Sequence, residues 1–124
     1  MSGNPTTNLS IHETPFSMEV ETRGDAAVAY LRGSCTMTVS AQLGVRMRDL
    51  GSAGHRLIVV DASQLDFIES SGLGGLIAGY LRARKHKGEM RLVNPTADIR
   101  KLLETTRLAQ LFGIYPSVDA ALQT

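Results

Sequence analysis

Hydrophobic and polar residues alternate along residues 16–23, FSMEVETR, where Phe, Met, Val and Thr are separated by Ser, Glu and Glu. A period of two is typical of a strand with one buried face. Gly24-Asp25 then predicts a tight turn, and residues 27–32 predict a second strand that ends at Gly33. This region is therefore predicted to form a β-hairpin.

The middle of the chain changes to helical spacing of its apolar residues. A helix is predicted from Ser40, as its N-cap, to Gly51, where it ends. Residues 57–60, LIVV, are four branched apolar residues in a row, which is typical of a strand buried on both faces. Residues 72–87 carry the clearest amphipathic stripe and predict a helix that Gly88 terminates.

The last third of the chain continues the alternation of strands and helices. In order, the pattern predicts a strand at residues 90–93, a helix opened by Asn94-Pro95 and running to Leu103, a short helical segment at residues 108–112, a brief strand at Ile114-Tyr115, and a helix at residues 118–122 capped by Ser117. This order indicates an α/β fold. We expect a mixed sheet of four to five strands packed against about four helices.

Length and composition limit the classes of protein that this chain can represent. Its 124 residues, 43% of them hydrophobic, suit one domain over residues 16–124, preceded by a flexible arm at residues 1–15 that is rich in Thr, Ser, Asn and Pro. A net charge of +1 gives no global signal for nucleic-acid binding. With no apolar run of membrane-spanning length and no secretory leader pattern, we expect no membrane insertion and a cytoplasmic location.

Catalytic and metal chemistry have little support in the sequence. One cysteine excludes a disulfide within the chain, and the three histidines are far apart. The glycines after residue 71 match neither a Walker loop nor a dinucleotide fingerprint, and no Gly-x-Ser-x-Gly surrounds the paired serines. We therefore expect a protein that is not an enzyme and that needs no cofactor.

Residues 61–75, DASQLDFIESSGLGG, form the most informative segment. Ser70 and Ser71 fall at the predicted helix start, where a hydroxyl can accept from unpaired first-turn N–H groups and where an anion is favoured. The glycines that follow allow another backbone or a phosphate to come close. Small residues after a strand also serve merely to cap a helix and pack it on a sheet, and the physics alone leaves both interpretations open.

The order of residues within this segment resembles the pattern of a known protein family. It resembles the STAS domain of bacterial anti-sigma factor antagonists. In that family an acidic or amide residue ends the central strand, and after a short stretch come an aromatic residue, a hydrophobic residue, Asp-Ser-Ser/Thr-Gly-Leu-Gly and an amphipathic helix. The matching positions in this chain are Asp61, Phe67, Ile68, Glu69, Ser70, Ser71, Gly72, Leu73 and Gly74. The resemblance extends from about Phe16 to Leu122 and includes GEMRLVNPTADIRKLLETTRLAQLF, which looks like the family's fourth strand and third helix.

The resemblance implies a partner-switching function. The unphosphorylated chain would bind an anti-sigma factor that is a serine kinase and so release the sigma factor. Ser70 would be the phosphorylated residue, with Ser71 as a secondary acceptor, and ATP and Mg²⁺ would belong to the kinase. The implied partner-binding residues are Asp61, Ser63, Asp66, Phe67, Glu69, Ser70, Ser71, Gly72, Leu73 and Gly74, together with the loop from Ser63 and the exposed face of the helix.

Two positions depart from the family pattern. Glu69 stands where the family usually has Asp, and residues 33–36, Gly-Ser-Cys-Thr, replace a stretch that tends to carry an Asp. The alternative is a STAS scaffold domain that does not switch, acting in a stress-signalling or transport-associated complex.

Two features outside this segment have structural interpretations. The basic run Arg82, Arg84, Lys85 and Lys87 is interpreted as cations at a helix C-terminus, in preference to a patch for an acidic partner or nucleic acid. Cys35 is expected to be a half-buried packing residue in a loop, because no neighbouring cation lowers the pKa of its thiol.

Overall fold

A computed structural model describes residues 14–123 as one mixed α/β sheet with helices on both faces. The five strands lie in chain order, β1-β2-β3-β4-β5; β1 is antiparallel to β2, and the other pairs are parallel. The elements are β1 (Ser17–Arg23), β2 (Ala26–Cys35), α1 (Met37–Ser52), β3 (Leu57–Ile68), α2 (Ser70–Lys85), β4 (Glu89–Val93), α3 (Ala97–Thr105), a 3₁₀ turn (Leu108–Gln110), β5 (Gly113–Tyr115) and α4 (Val118–Leu122). The predicted fold class is confirmed.

The sheet separates two cores because successive side chains of a strand point to opposite faces. On one face, β2 and β3 pack against apolar residues of α1, α2 and α3, including Leu43, Leu76 and Leu103. On the other face, a smaller cluster joins Val28 and Val59 to α4. Burial on both sides explains why the apolar run of β3 has no alternation.

The hairpin and the last helix form as the sequence predicts. β1 and β2 pair from Ser17 with Arg32 to Arg23 with Ala26, and Gly24 takes a φ of 62° that suits a residue without a Cβ. At the other end, the Ser117 hydroxyl oxygen accepts a 3.0 Å hydrogen bond from the N–H of Ala120, which caps α4.

Several predicted boundaries are wrong. β2 continues beyond Gly33 to Cys35, so this cysteine ends a strand and does not lie in a loop. α1 begins at Met37, and the Ser40 hydroxyl donates a 2.9 Å hydrogen bond to the carbonyl of Thr36, so Ser40 is no N-cap. The helix also continues one residue past Gly51.

Boundaries near the later helices shift in the same way. The helix predicted to begin at Asn94-Pro95 begins at Ala97. Asn94 adopts a left-handed φ of 46°, which is incompatible with the right-handed helix and delays its start after β4. α2 ends at Lys85, and the N–H of Gly88 donates a 2.7 Å hydrogen bond to the carbonyl of Ala83 beyond the helix end.

The proposed N-terminal arm lies mostly outside the described residues. Of residues 1–15, the structure describes Thr14 and Pro15 only. The carbonyl of Thr14 accepts a 3.1 Å hydrogen bond from the N–H of Ser34, so the chain is already paired with the end of β2 at this point. The division into an arm and a domain stays a prediction.

Glycines bring α1 and α2 into backbone contact. A Cβ on Gly75 would lie 2.9 Å from the Cα of Gly44, and a Cβ on Gly79 would lie 2.9 Å from the Cβ of Met47. Further along, a Cβ on Gly51 would meet the carbonyl oxygen of Gly79 at 2.7 Å. Earlier residues of one helix meet earlier residues of the other, so the helices run in the same direction and place their N-termini at the same end.

Candidate functional site

Ser70 is the first residue of α2, and its side chain is exposed. Before it, Glu69 takes an extended conformation and donates its N–H to the carbonyl of Cys35 at 2.9 Å, which ties the helix start to the end of β2. Within residues 14–123, no side chain caps the first turn of α2. The expectation that a serine hydroxyl caps this helix is therefore wrong, and the paired serines face outward from its first turn.

The glycines of the motif have distinct roles. A Cβ on Gly72 would lie 2.8 Å from the Sγ of Cys35, so only glycine lets the helix start pack on that thiol. Gly75 and Gly79 make the contacts with α1. A Cβ on Gly74 would meet nothing within 4 Å, so Gly74 is the glycine of this group that faces outward. Most of these small residues therefore pack the helix, as the structural interpretation held.

Cys35 is fully buried beneath this helix start. Burial raises the pKa of the Cys35 thiol above its ordinary value; a weak contact with the Ser40 hydroxyl at 3.9 Å opposes the shift, and the charge of Glu69 adds to it. The thiol is therefore an inert packing group, and it is more deeply buried than the sequence suggested.

The predicted loop from Ser63 to the helix start is a strand. β3 runs to Ile68, and its second half pairs only with β2, from Gln64 beside Arg32 to Ile68 beside Cys35. Register shifts interrupt this pairing at two points, between Tyr30 and Arg32 and between Gly33 and Ser34 of β2. The residues before Ser70 are consequently held in the sheet.

One of the predicted partner-binding residues, Asp61, lies far from the start of α2. Asp61 and Ser63 are two residues apart in β3, where the Asp61 carboxylate accepts a 2.9 Å hydrogen bond from the N–H of Ser63. Ile68, at the end of β3, is seven residues after Asp61, so at about 3.3 Å per strand residue the two lie roughly 23 Å apart. Asp61 and Ser63 line a small depression together with Tyr30 and Arg32 of β2. The structure thus brings together only the later part of the motif.

Residues 66–74 form the compact part of the site. Asp66, Ser70, Ser71 and Gly74 are exposed, and Phe67 and Glu69 are half-buried. Gly72 and Leu73 are buried, which makes them supports of the helix start and not surface residues.

A family model described as STAS domain matches residues 17–121. The chain belongs to the STAS domain family. Among curated proteins, a putative anti-sigma factor antagonist of Bordetella bronchiseptica, BtrV, is 27% identical over 94 residues, which cover 76% of this chain and 81% of that protein.

Solved structures agree with this assignment. An anti-sigma factor antagonist from Mycobacterium paratuberculosis superposes with a TM-score of 0.78 at 26% identity, covering 87% of this chain and 92% of that chain. The unphosphorylated form of the anti-sigma factor antagonist SpoIIAA gives a TM-score of 0.71 at 22% identity and covers 86% and 92% of the two chains, a likeness of fold.

One surface of the STAS domain was not predicted from the sequence. An open groove of about 430 Å³ lies between the N-terminal halves of α1 and α2. Its lining residues are Met37, Ser40, Ala41, Gly44, Val45 and Arg48 of α1 and Ser71, Gly74 and Gly75 of α2. The signal was present as apolar residues at positions 37, 41 and 45, a four-residue spacing displaced from the buried stripe of the same helix.

Neither a metal centre nor a membrane span is found in the described chain. Residues 14–123 contain no group of three or more His, Cys, Asp or Glu side chains placed to hold a metal ion. No helix among them is both long and apolar enough to cross a bilayer.

Proposed function

We propose that this STAS domain is a cytoplasmic anti-sigma factor antagonist that works as a phosphorylation switch. Its unphosphorylated form binds an anti-sigma factor that is also a serine kinase, and the sigma factor is released. Phosphorylation of Ser70 ends this binding, with Ser71 as a secondary acceptor. The observation that carries the proposal is the exposed serine at the first position of α2, within a family whose named relatives are anti-sigma factor antagonists.

The position of Ser70 suits a modified residue. An exposed hydroxyl at a helix start is accessible to a kinase, and the uncapped first-turn N–H groups favour a negative group there. A phosphoryl group would thus be tolerated without melting α2. The fold would stay the same while the surface changes.

Negative charge at the start of α2 explains why phosphorylation should end partner binding. A phosphoryl group adds about −1.5 to −2 charges at neutral pH. Two acidic residues, the exposed Asp66 and the half-buried Glu69, shortly precede Ser70 in the chain. A partner that accepts this surface in its unmodified form would meet both extra charge and extra bulk, which is enough to dissociate the complex.

Phosphotransfer with matched serine variants tests the proposal. The chain is incubated with labelled ATP, Mg²⁺ and each candidate anti-sigma kinase of the same genome, and the phosphopeptides are mapped. We expect label on Ser70, loss of label in Ser70→Ala, and retention in Ser71→Ala. Binding to the kinase should survive Ser70→Ala and fail in Ser70→Asp. If no candidate modifies or binds the chain, the proposal is wrong.

A second candidate function is a STAS scaffold that does not switch. This function is favoured by the backbone hydrogen bond from Glu69 to Cys35, because both residues belong to segments that depart from the family pattern. The segment 33–36 has no acidic residue where it meets the start of α2. Partner binding that is equal in Ser70→Ala, Ser70→Asp and the wild type would favour the scaffold.

A further inference from the structure

The α1–α2 layer has an unusual balance of charge. Five of the thirteen Lys and Arg residues lie on these two helices, but only one of the twelve Asp and Glu residues does. The basic residues are Arg46, Arg48, Arg82, Arg84 and Lys85, and the acidic one is Asp49. Three of these cations lie in the last turn of α2, where they complement the helix dipole, and Arg48 lies at the groove near the other end. The excess of positive charge on this layer favours an acidic partner.

The groove between the helices combines exposed apolar side chains with one cation, Arg48. Met37 is 73% exposed and Val45 is 49% exposed, which places them among the most exposed large apolar side chains of the described chain. Both line the groove, and Ala41 lies between them. The groove floor is backbone, because Gly44, Gly74 and Gly75 contribute no side chains.

Arg48 supplies the charge at the end of this apolar row. Its guanidinium lies over Gly44, about 3.2 Å from where a Cβ would stand. No carboxylate in residues 14–123 pairs with it. By contrast, Arg46 donates to the carbonyl of Met18 at 2.7 Å, and Arg82 donates to the Ser52 hydroxyl at 2.8 Å. Arg48 is the cation that lines the groove, and within the described chain it has no carboxylate partner that would compete with an incoming acid.

We propose that this groove docks an acidic amphipathic helix of a partner protein. From residue 37 to residue 48 the row spans roughly 16 Å at 1.5 Å per residue, which is about three turns of an occupant helix. The occupant presents apolar side chains at i, i+4 and i+7 toward Met37, Ala41 and Val45, and a carboxylate one turn further toward Arg48. Ser71, which lines this groove, is the residue after Ser70, so the docking surface adjoins the proposed phosphorylation site.

Stapled synthetic helices are the direct probe. One peptide carries Leu at i, i+4 and i+7 with Glu at its other positions, and its counterpart has Lys in place of every Glu. Binding is measured by fluorescence anisotropy with the full chain. We expect the Glu peptide to bind, the Lys peptide not to bind, and the affinity for the Glu peptide to fall as salt rises.

Single variants locate the binding on the groove. Val45→Glu and Met37→Ser should weaken binding of the Glu peptide, and Arg48→Glu should weaken it about tenfold or more. Arg100→Glu is the matched control, because it makes the same charge change at an exposed position on α3 and should leave the affinity unchanged. Circular dichroism of each variant confirms that the fold is retained.

Several outcomes would overturn the docking proposal. They are equal affinity for the Glu and Lys peptides, no binding of either, or the same effect from Arg48→Glu and Arg100→Glu. A Val45-dependent dimer in sedimentation would assign the groove to a second copy instead. Loss of Ser70 phosphorylation with intact peptide binding overturns only the switch, and the reverse result overturns only the groove.

Discussion

The position that a Cβ atom on Gly75 would occupy lies 2.9 Å from the Cα atom of Gly44. Real Cβ atoms do not approach backbone this closely, so this helix pair fits together only because residue 75 is glycine. In the other direction, a Cβ on Gly44 would lie an ordinary 3.8 Å from the Cα of Gly75. The preceding residue, Gly74, is on the exposed side of α2, and a Cβ atom on it would meet nothing within 4 Å. Two neighbouring glycines of one helix thus have opposite constraints.

Alanine substitutions at these neighbours should have effects of opposite sign. Gly75→Ala should lower the free energy of unfolding by about 1–3 kcal/mol, because the new methyl group forces α1 away. Gly74→Ala should raise it by about 0.5–1 kcal/mol, because alanine is the better helix former and meets no neighbour. Urea denaturation of both variants measures this. Equal effects would show that the helices separate without cost.

A charge at position 70 should change stability only slightly, and in the direction set by the helix dipole. We expect Ser70→Asp to be more stable than Ser70→Lys by about 0.3–1 kcal/mol at low salt, since an anion is favoured at a helix N-terminus. Thermal unfolding of the two variants gives the comparison. A less stable Asp variant would mean that repulsion from Glu69 outweighs the dipole.

The Cys35 thiol should resist modification in the folded chain. The residue has no exposed surface, and burial raises the pKa of its thiol, so little thiolate is present and none is accessible. Reaction with a disulfide reagent near pH 8 should be slow in buffer and fast in concentrated urea. Cys35→Ala, which cannot react, is the control.

The same raised pKa predicts a dependence of stability on pH. The folded state holds the thiol proton more tightly than the unfolded chain does, so the stabilisation is complete below the ordinary thiol pKa of about 8.5 and is lost as pH rises through the folded value. The stability advantage of the wild type over Cys35→Ala should therefore shrink from neutral to alkaline pH. An advantage that grows would contradict the assigned direction.

Arg91 should fasten the C-terminal helix to the sheet. Its side chain is only 12% exposed, and its guanidinium donates hydrogen bonds of 2.8 and 2.9 Å to the carbonyls of Ala121 and Gln123. We expect Arg91→Met to lower the free energy of unfolding by about 1–3 kcal/mol. Amide exchange in α4 should accelerate, whereas the exposed-site variant Arg100→Met should not change it.

The sequence predicted the order of elements well where the hydrophobic period was clear. The hairpin, the apolar start of β3 and the helix after Ser70 all have patterns that burial imposes directly. The second half of β3 was missed because Asp61, Ser63, Gln64 and Asp66 look like a loop. Its buried residues are Ala62, Leu65 and Ile68, three apart, because the shifted register breaks the period of two.

The candidate site was predicted only in part, because some of its geometry depends on contacts between residues that are distant along the chain. The local motif placed the paired serines at the helix start, although α2 begins at Ser70, two residues before the predicted Gly72. The separation of Asp61 from this start depends on how far β3 extends, which is determined by pairing with β2. The packing roles of Gly72 and Gly75 likewise depend on Cys35 and Gly44, which are distant along the chain. No local pattern indicates which glycine faces a neighbour and which faces outward.

The exposed first position of α2 also determines how the phosphorylated form could be separated from the unmodified form. Because Ser70 lies outside both cores, attaching a phosphoryl group there should leave the hydrodynamic size of the chain unchanged. The formal charge would nevertheless change from +1 to about −1 at neutral pH. The two forms should therefore migrate toward opposite electrodes in a native gel, and their band intensities give the fraction of molecules modified.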